Sequence, residues 1–139
     1  MKRTDQLVAA ALGLALASIL TTRVLRAFSV AEVMAVGAFI AGTLLLLAHR
    51  YQTGQPRLQW PYRLIVGGSV IGLGGLLLKA VFVLLGIGAA THDMADHSST
   101  PGNPLLIHIH HLFFNIGFVL FLVAAIGLLA RRIRGRASH

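Results

Sequence analysis

Four apolar runs, each close to the thickness of a lipid bilayer in helical length, constrain this chain more than anything else in it. They cover roughly residues 7–25, 30–48, 64–90 and 105–130. A helix rising 1.5 Å per residue needs about 20 residues to cross the hydrocarbon. Lipid cannot satisfy a free backbone amide or carbonyl, so each run must be helical. The sequence therefore predicts an all-α integral membrane protein, a four-transmembrane-helix bundle forming a single domain over 1–139. The rest is a short outer loop at 91–103 and a basic tail at 131–139.

Composition agrees. Only 12% of the residues are charged, against about 25% in a soluble domain. Mean hydropathy is +0.79. The net charge of +8 does not point to nucleic acid, because the cations cluster at gaps and termini as membrane topology requires. The chain has no cysteine, which excludes disulfides, thiolate metal sites and iron–sulfur clusters. Lys2-Arg3 followed by an apolar stretch resembles a signal peptide, but Arg23 and Arg26 lie just beyond it. The reading is a first span that stays in the protein.

With hairpin connections, one side of the membrane collects Lys2, Arg3, Arg50, Arg57, Arg63, Arg131, Arg132, Arg134 and Arg136. The other collects Arg23 and Arg26, with Asp93 and Asp96 in the 91–103 loop. The positive-inside rule then predicts both termini in the cytoplasm, and a bacterial inner membrane is the expected location. Ser29-Val30-Ala31-Glu32 reads as a capping box opening the second helix at about Val30. That helix is expected to stop near His49-Arg50. Leu58 to Tyr62 is expected to lie along the membrane surface before a third helix begins near Leu64, since Trp and Tyr favour the interface. Pro104 suits the first position of the fourth helix.

The third run is rich in glycine. Gly68, Gly72 and Gly75 share one helical face, and Gly68 and Gly72 form GxxxG. Small residues let helix backbones approach closely in lipid, so this helix is expected at the centre of the bundle, packed within the chain.

Two groups of residues carry candidate chemistry. The first is a set of outer histidines: His92 and His97 in the loop with Asp93, Met94 and Asp96, then His108 and His111 at the start of the fourth run. Imidazole, carboxylate and thioether suit zinc or copper. A haem b is harder to build, because no other span offers a histidine in its outer half. The second group is intramembrane. Lys79, counted from residue 90, lies ~16 Å from the outer end of its run. A charge at that depth costs about 2.5–3.5 kcal/mol, so it needs a partner. Glu32, near the outer end of the second helix, is one choice, and Asn115 and backbone carbonyls are others. Glu32 also has a local role in the capping box.

No nucleophile elbow, phosphate loop or pair of buried carboxylates occurs. The sequence thus favours a non-enzyme. Its first reading is a non-catalytic accessory or assembly subunit of a larger bacterial membrane complex, such as a respiratory one. The expected surroundings are the lipid bilayer and other membrane subunits or further copies of itself, not nucleic acid. The alternatives are an outer-face copper- or zinc-binding protein and a small transporter acting as an oligomer.

Overall fold

The computed structural model describes residues 3–53, 58–85 and 104–137. These residues form four long helices: α1 (Arg3–Leu20), α2 (Phe28–Thr53), α3 (Trp60–Leu84) and α4 (Pro104–Ala137). All four are long and apolar enough to cross a membrane, which makes this a multi-pass membrane protein in class. In sequence order each helix packs on the next. The α3–α4 and α1–α2 pairs make the broadest interfaces, and α1 barely meets α4.

Helix α1 does not run straight into its turn. The five residues after α1, Thr21–Leu25, widen into a π-helical turn, and Arg26 follows in the left-handed region with φ 52°. That conformation turns the chain sharply, at about 1–2 kcal/mol for a residue carrying a Cβ. The carbonyl of Ala27 then accepts from Ala31 N at 3.0 Å, so α2 is already helical from Phe28. The expected capping box is therefore absent. Ser29 lies inside the helix, where it cannot serve as the cap, and the Glu32 carboxylate is engaged elsewhere. The α1–α2 interface is instead lined by small residues, Ala11, Ala15, Ala31, Ala35 and Ala38, all buried. Ser18 Oγ crosses it, donating to the Ala31 carbonyl at 2.7 Å.

Three helix boundaries differ from the sequence reading. Helix α2 continues past His49-Arg50 to Thr53. Helix α3 begins at Trp60 rather than near Leu64, so Trp60, Pro61 and Tyr62 form its first turn instead of a surface segment. The reason is tertiary. Pro61 is fully buried, its missing N–H costs nothing in a first turn, and the Trp60 ring packs on Gly127 of α4. The Arg131 guanidinium sits 5.7 Å from the Trp60 ring centroid, a cation–π contact, and also donates to Gln59 Oε1. Those contacts anchor Arg131, and α4 continues as a helix through Ala137, across most of the basic tail expected at 131–139. At the other end of α3 the last helical residue is Leu84. Residues 86–90 of the expected third span lie outside the described residues.

The core is aromatic against glycine. Phe39 of α2 is fully buried and reaches across α3 to three rings of α4. Its centroid lies 5.5 Å from that of Phe114, stacked, 5.5 Å from Phe118, tilted, and 5.8 Å from Phe121, edge-on. Gly72 supplies the gap. A Cβ built there would overlap the Phe39 ring. Just beside it α3 and α4 meet backbone to backbone. A Cβ at Gly68 would stand 2.7 Å from the Gly117 carbonyl oxygen, and one at Gly117 would stand 2.8 Å from that of Gly68. Gly75 lies against Phe113 in the same interface. The three-glycine face of α3 thus packs within the chain, on α2 and α4.

Candidate functional site

The packing register between α2 and α3 sets the polar site. The helices are antiparallel. Gly42 lies against Ser69, and Phe39 against Gly72. Carried two turns further out, the same register places Glu32 opposite Lys79. There the Lys79 ammonium donates to Glu32 Oε1 at 2.6 Å, with the side chains 25% and 37% exposed, respectively. The carboxylate is not free to reach back to Ser29. In apolar surroundings a charged partner outbids a neutral backbone amide.

The pair is shallower than the sequence suggested. With α3 ending at Leu84, Lys79 is five residues from the last helical position, or about 7.5 Å. Glu32 is four residues from the start of α2, or about 6 Å. Both charges lie at the rim of the bundle, one turn below its end, and not in the middle of a span. Each long stem packs on apolar surface while the heads meet near the interface. Glu32 also lines a shallow groove of about 410 Å³ with Ser29, Val33 and Val36. Its one charged wall is the carboxylate that Lys79 already neutralises.

Because the two groups are partly exposed, their coupling is modest. A double-mutant cycle of Glu32→Gln and Lys79→Met, followed by unfolding in mixed micelles, should give a coupling energy of about 1 kcal/mol. Lys79→Met should recover most of the loss caused by Glu32→Gln. Independent, additive losses would mean that the contact contributes nothing.

Of the outer histidines, His111 stands on α4, half-buried and engaged with a neighbouring group. His108 lies one turn before it on the same helix, but its side chain is outside the described residues. His92, His97, Asp93, Met94 and Asp96 are outside them altogether. Among the described residues no three His, Asp or Glu side chains stand close enough together to hold a metal. Asn115, a suggested partner of Lys79, is exposed on α4, and the bond that Lys79 makes goes to Glu32.

Sequence reasoning named the glycines of α3 but not the groups that fill against them. Phe39, Gly117, Gly42 and Gly127 were missed. A signal was present in the phenylalanines of the fourth run, since Phe114, Phe118 and Phe121 recur at helical spacing. No such periodicity singles out Phe39, because the other aromatic residues of α2, Phe28 and Tyr51, stand near its two ends. No family model, curated protein or solved structure matches the chain.

Proposed function

We propose that this protein is a small accessory or assembly subunit of a larger membrane complex in the bacterial inner membrane. The observation that carries the proposal is what fills the bundle. Phe39 and the α4 phenylalanines occupy the space where α2, α3 and α4 converge, and the α3–α4 contact beside them closes to glycine-on-glycine. The Lys79–Glu32 pair is internally neutral and confined to the rim. A transport pathway needs polar groups at mid-depth along a wet route. An aromatic plug with one peripheral ion pair suits a scaffold better.

Charge distribution supports an orientation. Arg3, Arg63, Arg131, Arg132 and Arg134 lie at the ends of α1, α3 and α4 that share one side of the bundle, and Arg23 and Arg26 lie on the other. This side is cytoplasmic in the proposal, and so are both termini.

The test is affinity purification of the tagged full chain from its native membrane in a mild detergent. A stoichiometric partner of different mass is expected. Recovery of this chain without any other membrane protein overturns the proposal. Reporter fusions at His139 and near Ser99 should give opposite signals, cytoplasmic and periplasmic in that order. A periplasmic signal at His139 would reverse the orientation.

A further inference from the structure

We infer that the outward face of α4 is a self-association surface on which a second copy of this chain docks in parallel. Six apolar residues on that face, Leu112, Val119, Leu122, Ile126, Leu129 and Ile133, are between 57% and 61% exposed. They follow a seven-residue repeat. Leu112, Val119, Ile126 and Ile133 recur every seventh residue, and Asn115, Leu122 and Leu129 fall three residues after the first three of them. The opposite face of α4 is the one packed into the bundle, through Phe114, Gly117, Phe121 and Ala124. β-Branched residues at the first of two such positions with leucine at the second favour two parallel strands. Copies inserted the same way in one membrane are necessarily parallel, so the membrane supplies the orientation this pattern needs.

An apolar stripe alone would be ordinary lipid-facing surface, and the outward face of α2 is one. Two residues on α4 do not fit that reading. Asn115 is exposed eleven residues, about 16 Å, from the start of α4 at Pro104, and the contact of Gly75 with Phe113 places it deeper in the bundle than Lys79. Acyl chains offer its amide no hydrogen-bond partner. A carboxamide is both donor and acceptor, so Asn115 of one copy can pair with Asn115 of the next across a two-fold axis. At the other end Ile133 is exposed between Arg132 and Arg134, where headgroups and water rather than acyl chains would meet it. From Leu112 to Ile133 the stripe runs about 31 Å, the full ~30 Å depth of the hydrocarbon, while the 34 residues of α4 extend beyond it. By these fractions the six apolar residues together expose roughly 600 Å² per copy, about three-quarters of the ~800 Å² that a standard interface buries on each partner.

This inference does not depend on the subunit reading, and its test is separate. The chain has no cysteine, so an introduced one reports alone. Leu122→Cys, Ile126→Cys and Leu129→Cys, in the full chain in native membranes under oxidation, should give disulfide-linked dimers of twice the chain mass. The yield should be at least several-fold above Val33→Cys, Ile40→Cys and Leu47→Cys, which present cysteine on the exposed face of α2. Adding Asn115→Leu to Leu122→Cys should lower the linked fraction about threefold, the effect of losing one average interhelical hydrogen bond in a membrane. Equal yields on α2 and α4, no linked dimer, or linkage only to a different protein would overturn the inference. An unchanged yield with Asn115→Leu would overturn it as well, since without Asn115 the stripe is ordinary lipid-facing surface.

Discussion

Replacing Gly68 with alanine should destabilise the bundle by about 2 kcal/mol, within the usual range for overpacking, and replacing it with leucine should abolish the α3–α4 packing. The added Cβ would stand 2.7 Å from the Gly117 carbonyl oxygen, 3.1 Å from Phe121 Cδ1 and 3.2 Å from Leu120 Cβ. The first of these is backbone and cannot swing aside. The two helices must therefore move apart, and Gly117 and the ring of Phe39 lose their fit together. Gly67 and Gly74 are the controls on the same helix, because a Cβ at either meets nothing within 4 Å. Alanine there should be neutral or stabilising by up to about 1 kcal/mol, since it restricts the backbone without a clash. Unfolding of each variant in mixed detergent–lipid micelles separates the two classes. The packing account fails if Gly68→Ala is as mild as Gly67→Ala.

The second large effect is expected at Phe39. Truncation of a buried phenylalanine to alanine costs about 3–5 kcal/mol in soluble cores. In a membrane part of that sum disappears, because the separated helix exposes its ring to lipid instead of water. The cavity and the lost ring contacts remain. Phe39→Ala is thus expected near the lower bound, about 3 kcal/mol, and Phe39→Leu below about 1.5 kcal/mol. Ile40→Ala is the paired control. Ile40 is the next residue, 47% exposed, and its truncation should change stability by less than about 0.5 kcal/mol. A Phe39→Ala variant no weaker than Ile40→Ala would show that the aromatic cluster is not what joins α2 to α4.

These two sites account for the position of the polar pair as well. Glu32 and Lys79 meet because the contacts of Phe39 with Gly72 and of Gly42 with Ser69 fix how α2 lies against α3. Slipping the helices by one turn would move the carboxylate about 5.4 Å along the ammonium's helix. The overpacked Gly68 variants should disturb the ion pair less than the α3–α4 contact, since the pair is held from the α2 side.

The sequence by itself determined the class of the protein. Length and apolarity of the four runs are enough for that, because a bilayer admits no structure for such segments other than a spanning helix. It also determined that α3 would be a close-packing helix, since a line of glycines has no other use in lipid. Its pairing of Lys79 with Glu32 was open beside other partners, because a one-dimensional count gives depth but not which helices are neighbours. The rest was decided by tertiary structure. The Ser29–Glu32 capping box was locally sound, yet the left-handed turn at Arg26 started α2 earlier and Lys79 took the carboxylate. Trp60 carried the mark of an interfacial residue, yet Gly127 left a space for its ring and drew it into the first turn of α3. Both outcomes turn on contacts between residues far apart in the chain, at Glu32 with Lys79 and at Trp60 with Gly127. Local propensities of a fraction of a kcal/mol per residue yield to such packing and charge pairing, and a single sequence read along its length shows only the former.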